Sequence, residues 1–208
     1  MHNKERMGPM NEKFFDLKKE KQDRILNGSL KIFACNGYRH ASTDEIVAEA
    51  GISKGLLFHY FGSKLGLYGF LYEYAVRYVL VELGAASRGA ESDYFRLHRL
   101  LLDTELAITR QFPYMLLFLE QAGEETDPDA SGAIQPWLGK AEEAADAILA
   151  QARGPAFLSE ADLACLTRML TYTRRGMLRR ALSSPKPDLD LWREEVLTCI
   201  LALSHMTV

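Results

Sequence analysis

Residues 41–64 run Ala41-Ser42-Thr43-Asp44-Glu45-Ile46-Val47-Ala48-Glu49-Ala50-Gly51-Ile52-Ser53-Lys54-Gly55-Leu56-Leu57-Phe58-His59-Tyr60-Phe61-Gly62-Ser63-Lys64. Ser42 and Thr43 offer hydroxyl oxygens to the free N–H groups that open a helix, and Asp44 and Glu45 add negative charge at its positive pole. Ile46, Val47 and Ala50 form the apolar side of this short helix, and Gly51 turns the chain. Ser53 caps a second helix running to about Tyr60, and Ser63 caps another. A capped helix, a tight turn at Ala50-Gly51-Ile52 and a second capped helix have the anatomy of a helix-turn-helix. Small Ala50 and Gly51 let the two helices approach closely, while Ile46 and Ile52 plug the space between them and the helix before.

That preceding helix occupies residues 18–36, with Ile25, Leu26, Ser29, Leu30, Phe33 and Ala34 on one face. Gly37 ends it, because glycine takes a left-handed backbone without steric cost. Beyond Lys64 the helical period continues over residues 64–86, 92–111, 113–122, 133–153, 159–182 and 189–206, separated by stretches rich in turn formers. Alternating strand-like runs are missing. The pattern predicts an all-α fold of about nine helices. Residues 1–64 form an N-terminal arm and a three-helix helix-turn-helix head, and residues 65–208 form a larger helical body.

The 208 residues are 48% apolar and 25% charged, the balance of a globular chain rather than a disordered one. Lys and Arg number 25 against 28 Asp and Glu, a formal charge of −3 that taken alone argues against a nucleic-acid partner. The charge is unevenly spread. Residues 1–64 carry 11 basic against 8 acidic residues, and the rest carry 14 against 20, so a modestly basic head is joined to an acidic body. Cys35, Cys165 and Cys199 are widely spaced and form no C-x-x-C pair, which reads as a reduced, cytoplasmic chain with no metal and no cofactor. Residues 1–10 lack the apolar stretch of a signal peptide, and no apolar run is long enough to span a bilayer, so neither export nor a membrane is expected.

The second helix of the helix-turn-helix is the expected reader. Its N-terminal residues Lys54, Gly55 and Leu56, following the cap Ser53, would meet base edges in the major groove. Gly55 costs about 1 kcal/mol of helix propensity, and close approach to DNA is a use for it. His59, Tyr60 and Lys64 are placed to donate hydrogen bonds or charge to phosphates.

Glu20 to Leu26, Phe33 to Tyr38, Ala41 to Gly55 and Phe58 to Lys64, taken in order, resemble the DNA-binding domain of the TetR family of transcriptional regulators. The likeness covers about 45 residues and is far more specific than a lone short motif. It implies an all-helical homodimer with a three-helix reading head, a divergent ligand-binding body, and release from operator DNA when a small molecule binds. Carried over by position, Thr43 would touch a phosphate, Lys54, Gly55 and Leu56 would face bases, and Tyr60 and Lys64 would anchor phosphates. Two positions depart from the family's habit: Leu56 stands where Thr is common and Phe58 where Tyr is common. Leu56 can instead pack on a thymine methyl.

The body carries no glycine-rich phosphate loop, no H-E-x-x-H and no G-x-S-x-G turn, and no enzymatic activity is expected. His98 and Glu105 lie seven apart on one helix, too far for an i, i+4 ligand pair. The resemblance puts an effector pocket in this body, with Tyr72, Phe95, Tyr114, Phe118, Trp137 and Tyr172 as aromatic wall material, although aromatics at helical spacing serve equally as core. The last two helices are apolar on more than one side and need a second surface. Leu163, Leu166, Leu170 and Met177, with Trp192, Val196, Ile200 and Leu203, face either the subunit's own core or a symmetry mate, and the resemblance points to a four-helix dimer interface. The expected partners are therefore double-stranded operator DNA, an unknown small-molecule effector and a second copy of the chain. The expected role is a ligand-released repressor on a palindromic operator. The alternative is a helical protein-interaction adaptor with a degenerate DNA-binding head.

Overall fold

A computed structural model describes residues 13–155 and 158–206. The expected N-terminal arm, residues 1–12, lies outside the described residues. Ten α-helices appear among the described residues: α1 (Lys19–His40), α2 (Thr43–Ala50), α3 (Lys54–Phe61), α4 (Lys64–Ala86), α5 (Tyr94–Gln111), α6 (Met115–Gly123), α7 (Pro128–Ile134), α8 (Lys140–Leu149), α9 (Glu160–Leu182) and α10 (Leu189–Met206). A 3-10 turn, Gln135–Trp137, follows α7. Among the described residues there is no strand, only an isolated bridge between Asp93 and Arg153, so the fold is all-α.

The chain forms two compact units, one from Met1–Arg77 with Phe112–Leu138, the other from Tyr78–Gln111 with Gly139–Val208. In the first, α1 packs on α2 and on α6. Ile25, Leu26, Leu30 and Phe33 of α1 are fully buried with Ile46 of α2 and Leu57 of α3. Aromatic rings fill the rest. Phe14, Phe61 and Phe70 meet at centroid distances of 5.0 to 5.4 Å, and Phe33 and Tyr68 meet edge to face at 5.1 Å. In the second unit α10 packs on α5 and α9, around buried Leu101, Leu102, Leu170, Trp192, Val196 and Ile200.

The helix starts follow the predicted chemistry. Ser42 Oγ accepts the Asp44 N–H and Ser53 Oγ the Leu56 N–H, both at 3.2 Å, and Ser63 Oγ accepts the Gly66 N–H at 2.9 Å. Gly51 caps α2 in the left-handed conformation. Gly37 does break the first helix, but at φ 67° and ψ 177° it makes a kink followed by one further turn. The helix expected over 133–153 is a larger departure. It is split at Gln135–Gly139, because Pro136 lacks an N–H for the ladder and Gly139 has φ 76°. Among the described residues, no helix is long and apolar enough to cross a membrane.

Candidate nucleic-acid interface

Close packing of α2 on α1 sets up the interface. A Cβ added at Gly28 would lie 2.9 Å from the backbone nitrogen of Ala50, so two small residues let these helices touch. Buried Ile46 and Leu57 anchor α2 and α3 from beneath. With its apolar side spent, α3 leaves Lys54, Gly55, Phe58 and His59 exposed and Leu56 half-buried. Among the described residues the space around Gly55 is open, with no heavy atom beyond its own stretch of helix within 4 Å of where a Cβ would stand.

The starts of α2 and α3 are tied together by Lys54, whose Nζ donates to Asp44 Oδ1 at 2.9 Å and Oδ2 at 3.1 Å. Thr43, half-buried as the first residue of α2, is thereby brought to the same end of the motif as Ser53, Lys54 and Gly55. An exposed pair of this kind is worth little in water, so Lys54 can exchange its carboxylate for a phosphate or a base edge at small cost. A second tie, Lys31 Nζ to Glu49 at 2.8 Å, joins α1 to α2, and the hydrogen bond it donates to the Glu49 carboxylate raises the Lys31 pKa.

Two of the expected contacts sit differently. Tyr60 is only 8% exposed and packs against Phe14 at 6.2 Å and Phe61 at 6.3 Å, so its ring belongs to the core. Lys64 turns its ammonium to backbone carbonyls, donating to Tyr38 at 2.8 Å and Ala41 at 3.2 Å. The sequence shows a cation at a helix start but does not show that the end of α1 lies beside it.

The six expected pocket aromatics are divided between the two units. Tyr72, Tyr114, Phe118 and Trp137 belong to the first unit, Phe95 and Tyr172 to the second. Tyr72 and Phe118 touch at 6.1 Å and are buried, Trp137 lies under Arg77 at 4.5 Å, and Tyr172 is 70% exposed. Within the second unit an open groove of about 870 Å³ runs between the end of α4 and α5. Ala85, Leu100 and Ala107 line it, with Arg96, Arg99 and Asp103 among its polar groups.

The interior of the second unit also holds a polar cluster. Arg174 Nε donates to Glu105 at 3.0 Å, and its Nη1 lies 3.3 Å from His98 Nδ1. Because a guanidinium only donates, Nδ1 must accept and the proton of the neutral ring sits on Nε2. That Nε2 is buried with no hydrogen-bond partner among the described residues. Burial, with the Arg174 charge adding to it, lowers the His98 pKa to about 3. His98 and Glu105, unpaired along their own helix, are thus joined through an arginine of α9.

The expected interface residues separate in the same way. Leu170, Trp192, Val196 and Ile200 are buried inside the second unit, because the wider apolar stripe of each helix packs first on its own neighbours. Leu163, Leu166, Met177 and Leu203 are half-buried. What the unit leaves exposed is a stripe on α9, Cys165, Met169, Tyr172 and Gly176, and on α10 Leu191 and Leu201.

An all-α scaffold that presents the N-terminal half of a capped second helix has the architecture of a helix-turn-helix. Residues 25–69 match the family of bacterial regulatory proteins known as the tetR family. Over 49 residues the chain is 47% identical to the HTH-type transcriptional regulator YuxN of Bacillus subtilis and 41% identical to the HTH-type transcriptional activator FasR of Mycolicibacterium smegmatis. Those stretches are 24% of this chain and only 17% and 22% of the two relatives. The crystal structure of the TetR-family regulator PfmR of Thermus thermophilus shares the fold, with a TM-score of 0.59, 22% identity, and coverage of 86% of this chain and 97% of that one.

Proposed function

We propose that the protein is a homodimeric, ligand-responsive repressor that reads a palindromic operator through two copies of α3. The open, exposed N-terminal half of α3 carries this reading. Gly55 leaves room for a groove floor, Lys54 and His59 offer donors, and Leu56 and Phe58 offer apolar contact for thymine methyls. Thr43 and Ser53 sit at the same end for phosphate contact. The functional division falls at Lys64, with residues 1–64 as the reading head and 65–208 as the effector and dimerisation body, and the protein acts in the cytoplasm without enzymatic chemistry. The dimer forms through the exposed stripes of α9 and α10. A small-molecule effector bound in the body releases DNA by favouring a form whose heads no longer match the roughly 34 to 36 Å spacing of successive major grooves.

The test is selection from a randomised duplex pool at about 0.15 M salt. A two-fold symmetric consensus is the expected product, and recovery of no sequence above background overturns the reading. A second reading draws on Phe58, 37% exposed on the reading helix: an adaptor that presents this face to another protein. Failure of the selection, together with intact folding, is the outcome that favours it.

A further inference from the structure

The turn that leads from α1 into the helix-turn-helix is gripped from two sides. At Gly37 the backbone leaves the helix with φ 67°, which frees the Tyr38 N–H and the carbonyls after it from the regular ladder. Glu125, in the connection between α6 and α7, accepts the Tyr38 N–H on Oε2 at 3.0 Å. Its Oε1 accepts the N–H groups of Thr126 and Asp127 at 2.9 Å, which fixes the carboxylate in place. From the other side, the Lys64 ammonium donates to the carbonyls of Tyr38 and Ala41 and lies 3.5 Å from that of Arg39. It also stands 4.4 Å from the centre of the Tyr38 ring. A cation on the orphan carbonyls of a helix end is favourable for both partners, and these contacts occupy the three donors of the ammonium. The gripped turn ends at Ala41, one residue before the cap Ser42 and the first residues of α2.

We propose that Lys64 and Glu125 are positioning residues for DNA binding. They fix residues 37–41, and with them the start of α2, so that Phe112–Leu138, outside residues 1–64, braces the reading head and Lys64 is not a phosphate anchor. The inference rests on the DNA-binding reading, and its test separates the two. The full-length variants Lys64→Met and Glu125→Gln are assayed by fluorescence anisotropy on the selected duplex over a range of salt. Amide hydrogen exchange at Tyr38 is followed without DNA, and circular dichroism checks that each variant is folded.

Loss of the charge-assisted hydrogen bonds that hold the turn is expected to weaken binding by about tenfold or more in each variant. For Lys64→Met the slope of log K against log salt stays unchanged, whereas loss of a phosphate contact lowers it by about 0.9. Glu125→Gln removes a negative charge from beside the head, so a purely electrostatic role predicts tighter binding, and positioning predicts weaker. Exchange at Tyr38 accelerates in Glu125→Gln. A slope reduced by about 0.9 in Lys64→Met, or equal or tighter binding by Glu125→Gln, overturns the proposal. If the parent protein selects no duplex, the DNA-binding reading fails and takes the positioning role with it. The exchange rate at Tyr38 then reports only whether Glu125 holds the turn.

Discussion

Gly55 sits in the first turn of α3 with nothing beyond its own stretch of helix within 4 Å of the place a Cβ would occupy among the described residues, so its lack of a side chain serves no packing need among them. Replacing it with alanine should stabilise the head, by up to about 1 kcal/mol from helix propensity. The same methyl group should lower affinity for the selected duplex, since it enters the space a base pair would fill. Thermal melting and anisotropy on the one variant check both signs. Equal or tighter DNA binding by Gly55→Ala would remove the reason for a glycine there. Gly66 behaves oppositely. A Cβ at this position would stand 2.1 Å from the carbonyl oxygen of Phe61, so Gly66→Ala should destabilise the head by about 1–3 kcal/mol, read as a lower midpoint in urea. Gly55 was legible in the sequence because the caps at Ser42 and Ser53 locate the reading helix. Gly28 and Gly66 were not, because each is required by an atom on another element.

At the scale of elements, the partners of α5 decide what its buried histidine does. The hydrophobic periodicity of α5 and α9 placed both helices within two residues of their observed starts. It could not show that Arg174 of one points between His98 and Glu105 of the other, since pairing across helices depends on their relative rotation. The consequence is a dependence on pH. His98 titrates near 6.5 when unfolded and is held to about 3 when folded. Below pH 6.5 the unfolded chain therefore takes up a proton that the folded chain refuses. Stability from this residue is complete above that pH and declines as pH falls toward 3, by at most about 1.4 kcal/mol per pH unit. Melting temperature should drop between pH 6.5 and 5, a window above the carboxylate range, and His98→Gln should flatten the drop. An unchanged slope in that variant would assign the acid sensitivity to other groups.

For the whole molecule, the formal charge of −3 combines a basic head with an acidic body. On the proposed reading, an excess of only three positive charges over residues 1–64 would give each head a weak hold on phosphate, and useful affinity would require two heads on one duplex. Apolar periodicity identified the last two helices as needing a second surface but could not divide that need between the subunit and its mate. Trp192 and Val196 are taken up by the unit's own core, and Met169, Tyr172, Leu191 and Leu201 remain exposed. A partner copy covering these stripes would join two weak sites, and such linkage raises affinity by about 10²–10⁴ without any new contact to DNA. Tyr172→Glu combined with Leu201→Glu should therefore give a monomer by sedimentation equilibrium. Its melting temperature should change little from that of the isolated subunit, because exposed positions away from packed features shift stability by about 0.5 kcal/mol or less. Affinity for the full palindrome should fall by about a hundredfold or more, while affinity for a half-site duplex stays the same. A double variant that remains dimeric would place the interface elsewhere, and a monomer that keeps full operator affinity would separate DNA reading from dimerisation altogether.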